Sequence, residues 1–536
     1  MPRFQTRPAI DPSTKPRSAV ARRGLKAVLV LALVAAAPVQ AAVHLGPYAN
    51  VGIGNPNLID PADDGFGAAM ASGDFNGDGI DDLAIADRQH PNLVRIHFGT
   101  VWTLGNPAGN PFQVATVPVP MVPGATLGSS NVVAAGNFTR DISNDDEVVV
   151  GVPGDSLSAN HAGAVFVLDR RPEGNWVVAL TIRQGFEGFS GISEAGDRFG
   201  ASLAVGGFDL NDLDDLAIGI PGETTGTATE SGAVYIVYQG VAGLMNSNEE
   251  AFLRGANGLT GAPISDEGLG TALAAGDFDG DEIVDLAVGI PGNACAGQAN
   301  SGSVMVLLGR DDVGGLDAAG VTYWAQTTAG VLDDCEANDR FGSALAAGSF
   351  SATPLGQPRT DDLAIGVPGE ALGGVPLAGA VAVLFGSSTG LTASNDLLIS
   401  EADLPGGALA TAAFGSRLTA GQINASAGGG DNLVIAAPFA TENGQALAGR
   451  AWVIPQRAGA LELANARPFA LSSAYALGAP AAQDIYGSQL AIGDFNGDGD
   501  NDLAVAVPGH DGGASGSGAV QVLFQSERIF ADGFQD

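Results

Sequence analysis

The stretch GDFNGDGIDDLAIA, Gly73 to Ala86, is written twice more with few changes: GDFDGDEIVDLAVGIPG from Gly276 and GDFNGDGDNDLAVAVPG from Gly493. Each copy joins an acidic turn to a short apolar run. Degraded copies begin at Gly136 (GNFTRDISNDDEVVVGVPG), Gly206 (GGFDLNDLDDLAIGIPG), Gly348 (GSFSATPLGQPRTDDLAIGVPG) and Gly421 (GQINASAGGGDNLVIAAP). The chain is therefore seven copies of one unit. An aromatic-Gly or Leu-Gly step precedes every copy, at Phe66, Leu127, Phe199, Leu269, Phe341, Phe414 and Tyr486, with spacings of 61, 72, 70, 72, 73 and 72 residues. A fixed period of this kind marks a repeat architecture rather than a string of unrelated domains.

Each unit carries four short β-type runs. One leads into the acidic turn, and a second (DLAIG) leaves it and ends at Pro. A third follows a Gly-rich loop (GAVFVL from Gly163, GAVYIVY from Gly232, GSVMVLLG from Gly302), and a weaker fourth resembles WVVAL from Trp176. Four strands per unit, bounded by Gly, Pro, Asn and Asp, predict an all-β, seven-bladed propeller of four-stranded antiparallel blades. A helical solenoid is disfavoured by 79 Gly and 29 Pro and by the lack of 3.6-residue apolar periodicity. The last unit ends soon after its third run. The segment Val43 to Ile59 is therefore expected to complete the last blade and close the ring, since an open ring exposes sheet edges.

The acidic turns carry the specific chemistry. In the first, Asp74, Asn76 and Asp78 alternate at positions 1, 3 and 5, the Ile80 carbonyl falls at 7, and Asp82 at 9. Alternate oxygens can curl around one ion while Gly79 permits the sharp turn. The same roles fall to Asp277, Asp279, Asp281, Ile283 and Asp285, and to Asp494, Asn496, Asp498, Asp500 and Asp502. Oxygen-only donor sets select a hard cation, and six or more oxygens on a flexible loop favour Ca²⁺. Three Ca²⁺ sites are expected. The third unit has Gly207 at position 1, the second has Asn137 and Thr139, and the fifth and sixth are neutral. These four turns are expected to close by ordinary hydrogen bonds.

Phe-Gly, acidic loop and Gly-x-Pro in this order resemble the FG-GAP repeat, the blade unit of the integrin α-chain N-terminal β-propeller. Leu127 and Leu269 depart from the pattern at the Phe, and Ala436-Ala437-Pro438 alone approaches its Gly-Ala-Pro form. The resemblance implies that the calcium loops share one face of the disc. It places partner-binding loops on the opposite face, here those after Pro153, Pro221, Pro291, Pro368, Pro438 and Pro508. In that layout Cys295 and Cys335 reach the same face of adjacent blades, and in an exported protein they are expected to form a disulfide. The expected function is adhesion or recognition of a protein or glycan ligand. The alternative is a secreted hydrolase or lyase of polysaccharide or lipid, because such blades also occur in those enzymes.

Residues 1–41 read as a secretory signal peptide: Arg22, Arg23 and Lys26 precede AVLVLALVAAA, and Val39-Gln40-Ala41 suits a signal peptidase. Residues 42–526 are read as the propeller and 527–536 as a C-terminal tail. The expected location is secreted, periplasmic or on the cell surface after bacterial export, with no membrane span in the mature chain. Cleavage after Ala41 removes seven Lys or Arg, among them both Lys, and one Asp, taking the net charge from -36 to -42. So acidic a surface repels nucleic acid. Catalytic signals are weak. The five His show no zinc spacing, and GSSTG from Gly386 fits a nucleophile pattern but stands between two strand-like runs, so no residue is assigned a catalytic role and Ser388 is read as a turn residue. Asp197-Arg198 and Asp339-Arg340, repeated at one blade position, are read as structural ion pairs or loop hydrogen bonds.

Overall fold

A computed structural model describes residues 45–51, 66–86, 93–100, 113–118, 132–138, 145–156, 158–211, 213–240, 243–310, 314–352, 358–408, 410–423, 430–472, 479–510 and 518–525. The expected signal peptide and C-terminal tail lie outside the described residues, as does most of the expected closing segment. The chain divides into Met1–Ala42 and Val43–Asp536, and the second unit carries every element described below.

Seven four-stranded antiparallel sheets form the blades of a seven-bladed propeller, and a two-stranded ribbon, Gln456–Arg457 with Ala460–Leu461, extends from the sixth. Blade 4 is representative: Leu273–Gly276, Asp285–Ile290, Ser303–Arg310 and Gly315–Trp324 pair in that order. In the seventh sheet Leu490–Gly493, Asp502–Val507 and Ala519–Gln525 are followed by Leu45–Val51, antiparallel to Ala519–Gln525. Among the described residues the helical content is two 3-10 turns, Glu401–Asp403 and Leu463–Asn465. No helix there is long and apolar enough to cross a membrane.

The second strand of each blade is buried along its whole length, which explains why DLAIG is a continuous apolar run rather than an alternating one. Successive side chains face opposite neighbours. In blade 3, Leu216, Ile218 and Ile220 join Val149, Val165 and Val167 of blade 2, whereas Ala217 joins Leu286 and Val288 of blade 4. Seven such clusters exist, one per pair of adjacent blades. One of them sets Phe66, Met70, Leu83 and Ile85 of the first blade against Ala504, Ala506, Val520 and Val522 of the last. Apolar packing thus runs around the ring, and no blade can bury both faces without its neighbours.

The Phe-Gly step is the seam between blades. Phe66, Phe199, Leu269, Phe341, Phe414 and Tyr486 each form a bridge with the Gly that opens the third strand of the preceding blade: Gly518, Gly163, Gly232, Gly302, Gly379 and Gly449. At Gly302 φ is +90°, and a Cβ would stand 2.2 Å from the Phe341 carbonyl oxygen. Glycine is required there for backbone conformation and for close approach.

In all seven blades the first strand ends on a Gly paired with the acid or Asn that starts the second, as in Gly73↔Asp82, Gly276↔Asp285 and Gly493↔Asp502. This register sends the acidic turns, which join strands 1 and 2, to one face together with the loops joining strands 3 and 4. The Pro-Gly loops joining strands 2 and 3, and the connections to the next blade, emerge on the opposite face.

Candidate cation-binding loops

The three acidic turns are built around their first carboxylate. Asp74 Oδ1 accepts the N–H of Gly77 (2.8 Å) and of Asp78 (3.1 Å), and its Oδ2 accepts that of Gly79 (2.8 Å). Asp277 does the same for Gly280, Asp281 and Glu282, and Asp494 for Asp498 and Gly499. Position 5 fixes the exit: Asp78, Asp281 and Asp498 accept from Ile80, Ile283 and Asp500. These local side-chain to backbone bonds hold the loop curled.

In the fourth blade the oxygens converge. Single carboxylate oxygens of Asp277, Asp279 and Asp285 lie within 4.8 Å of one another. Asp279 is buried, and its Oδ1 meets no hydrogen-bond donor among the described residues. A buried acceptor without a donor fits a bound cation. Arg310 reaches the same loop, its Nη1 2.5 Å from Asp279 and 3.1 Å from Asp281. In the first and seventh blades the position-3 amides instead turn their nitrogens to the position-9 acids, Asn76 to Asp82 and Asn496 to Asp502, each at 3.1 Å.

Position 9 has a role that the turn spacing does not reveal. Asp82, Asp285 and Asp502 are wholly buried, and each clamps two loops of its own blade. Asp82 accepts from Phe75 (3.0 Å) and Gly99 (2.7 Å), Asp285 from Phe278 (2.7 Å) and Gly309 (2.8 Å), and Asp502 from Phe495 (3.2 Å) and Gln525 (2.8 Å). Asp215 and Asp362 make the same clamp in blades without an intact acidic turn. Glu147 and Asn432 hold the first of the two contacts. Burial pushes Asp82 and Asp285 up to about 8 and Asp502 to about 9, against the lowering effect of those N–H groups.

The degraded turns close with neutral groups. In blade 3, Asn211 donates to Asp209 (3.0 Å) and to the Gln239 carbonyl (2.7 Å); in blade 5 the Ser351 hydroxyl donates to Asp362 (3.1 Å). Thr139 lies outside the described residues.

A second feature missed from sequence is the acid one place earlier. Asp146 accepts the N–H of Asp74 across the blade boundary (3.1 Å), Asp361 that of Asp277 (3.2 Å), and Asp81 that of Asp494 (2.9 Å). The doubled acids Asp81-Asp82 and Asp361-Asp362 were the available signal: the first staples the neighbouring blade, the second clamps its own.

On the opposite face Cys295 and Cys335 are joined, with Cα atoms 6.1 Å apart. Asp197 accepts from the backbone of Glu194, and Arg198 pairs with Glu230 at 2.9 Å. The GSSTG segment is a turn between Ala380–Phe385 and Thr392–Ile399, so Ser388 has no helix behind it. His97 is buried beside Phe66, and burial together with Arg95 pushes its ring down to about 3.

Among known proteins, the FG-GAP repeat family matches residues 66–92, 269–307 and 486–523. The chain is similar to the phosphatidylinositol-glycan-specific phospholipase D of Rattus norvegicus, 33% identical over 171 residues, 32% of this chain and 19% of that protein. It is also similar to integrin alpha-8 of Gallus gallus, 32% identical over 183 residues, and to integrin alpha-5 of Xenopus laevis, 30% identical over 192 residues. Those matches cover 33% and 35% of this chain and 15% of each integrin. The matched region is thus under a fifth of each relative's length.

Proposed function

Because the chain is a seven-bladed propeller with FG-GAP repeats matched in its first, fourth and seventh blades, we propose that it is an exported, calcium-binding recognition module. Its ligand, a protein or a glycan, docks on the face opposite the acidic turns. The observation that carries this reading is the distribution of exposed apolar side chains. Of nine exposed large hydrophobic residues among the described ones, seven lie on loops of that opposite face: Phe186, Ile192, Ile264, Leu332, Leu377, Phe439 and Leu447. The two others are Leu210 and Met245. Exposed apolar groups gathered on one face mark an interaction surface. The similarity to integrin α-chains supports the same class of function.

Calcium would be held by Asp277, Asp279, Asp281 and Asp285 with the Ile283 carbonyl, and by Asp74, Asn76, Asp78, Asp82 and the Ile80 carbonyl. The third set is Asp494, Asn496, Asp498, Asp502 and the main-chain oxygen of Asp500. Its chemistry there would be structural, positive charge against buried carboxylates that would lock the turn. In the first and last loops the Asn amides must present their oxygens rather than their nitrogens to the ion.

The second reading, a secreted hydrolase, is favoured by the similarity to the phospholipase D. It requires a site that the described loops do not assemble around Ser388. The experiment is binding of residues 42–536 to a glycan array and to intact cells, each with calcium and with chelator. Calcium-dependent retention on sugars or cells supports recognition. Silence on both, with turnover of a polysaccharide or glycolipid panel, overturns it in favour of the enzyme.

A further inference from the structure

The opposite face carries a second convergence of oxygens at the seam between blades 4 and 5. Single carboxylate oxygens of Glu336, Asp339 and Glu370 lie within 4.8 Å of one another, with Asp339 and Glu370 buried. Asp333 stands near enough to repel the Glu370 charge. Gln326, 3% exposed, enters the same cluster. Its Nε2 donates to Glu370 (3.0 Å), while its Oε1 meets no donor among the described residues.

Corresponding positions at the other seams show what such a cluster lacks. Two residues before the Leu or Tyr of the seam, Glu267 pairs with Arg254 (2.8 Å), and Asp484 faces the His510 ring at 3.4 Å. Arg254 and Glu401 occupy the place of Gln326, counted from the end of the fourth strand, and Glu401 pairs with Arg450 at 3.0 Å. In each of these seams the chain supplies a basic partner for the buried acid. At the seam between blades 4 and 5 none of Glu336, Asp339 and Glu370 makes an ion pair among the described residues; the donors to Asp339 and Glu370 are the Gln326 amide and the N–H groups of Glu336 and Ala371. Three carboxylates, two of them buried, thus converge beside a buried amide whose oxygen meets no donor among the described residues.

We propose that Glu336, Asp339, Glu370 and the Gln326 carboxamide form a divalent-cation site, of calcium type, on the face opposite the acidic turns. Oxygen donors of mixed charge on a loop suit Ca²⁺. Turning the Gln326 amide about its last bond exchanges nitrogen for oxygen and gives the ion a neutral ligand. Glu336 is exposed, so the ion keeps an open side toward solvent. The site ties the blade 4 to blade 5 connection to the Pro-Gly loop of blade 5, next to Cys335. The same residue types recur between blades 2 and 3, with Gln184, Glu194 and Asp197 at the same spacing and Glu223 directly after the same Pro-Gly. There Gln184 donates to Glu223 (2.7 Å), and Gln184 Oε1 and Asp197 Oδ1 again meet no donor.

The test is anomalous scattering from crystals of residues 42–536 soaked in terbium, which replaces calcium. The expected result is a peak at calcium-ligand distance, about 2.3–2.6 Å, from Glu336, Asp339 and Glu370. Terbium in the acidic turns with none at this cluster overturns the proposal and leaves the turns intact; terbium at neither overturns both. Equilibrium dialysis with calcium gives a second reading: Glu370→Gln should lose one bound ion, and Glu230→Gln, at an exposed pair, should lose none. A folded Glu370→Gln with the wild-type ion count also overturns the proposal, while the crystal reading needs no variant.

Discussion

Gly302→Ala tests the seam directly, because a second glycine in the same blade provides its control. Gly297 lies in the preceding loop at φ +83°, and a Cβ there would have nothing within 4 Å, so Gly297→Ala meets only the left-handed backbone cost, about 1–2 kcal/mol. Gly302 has φ +90°, and its Cβ would stand 2.2 Å from the Phe341 oxygen and 2.4 Å from the Phe341 nitrogen. Reaching ordinary contact requires about 1 Å of movement between two backbones, with no flexible side chain to yield. The bridge between Gly302 and Phe341 would part, and with it the bond from Phe341 N–H to the Ser301 oxygen, 2.8 Å long. At roughly 1 kcal/mol net per lost hydrogen bond, plus disturbed packing of the wholly buried Phe341 ring, Gly302→Ala should cost about 3–5 kcal/mol in all. The assay is urea unfolding followed by tryptophan fluorescence, with both variants measured beside the parent. A Gly302→Ala protein no less stable than Gly297→Ala would refute the claim that the Phe-Gly step works by close backbone approach.

Three further outcomes are expected. Asp362 is raised to about 6 by burial, above the ordinary 3.8, so its contribution to stability is present below about pH 4 and lost as pH rises through 6. Asp362→Asn, the residue type that Asn432 supplies in blade 6, should remove a pH-dependent loss of about 3 kcal/mol between pH 4 and pH 7.5; an unchanged pH slope in denaturant unfolding would contradict this. Chelator should lower the melting temperature, each turn holding calcium at a hundredfold its Kd contributing about 2.7 kcal/mol, and an unchanged melting temperature would count against a structural role. Without reductant, alkylation should add no mass at Cys295 or Cys335, and reduction should cost about 4 kcal/mol for a 40-residue separation, visible as a lower urea midpoint.

Repetition made the blades legible. Three near-identical runs and four degraded ones state a common period, and the continuous apolar second runs fit strands buried on both faces. The acidic turns were equally plain, because the hydrogen bonds that curl them join residues within five positions of one another. Position 9 was only half plain: Asp82, Asp285 and Asp502 stand at ligand spacing on the line and in addition clamp Gly99, Gly309 and Gln525 from elsewhere in the blade.

Sequence alone therefore determined the number of units, their strand class and the oxygen-rich character of three turns, all properties set by residues within a few positions of one another. Tertiary structure decided which charges meet. Arg310 reaches a turn 29 to 31 residues away, Asp81 staples a turn 413 residues away, and Gln326 meets Glu370 across 44. Arg254, Arg450 and His510 answer buried acids at three seams, and Gln326 stands in a cluster with no such answer. Those pairings follow from ring geometry, which brings the end of one blade against the second-to-third loop of the next, and no local spacing in the chain encodes them.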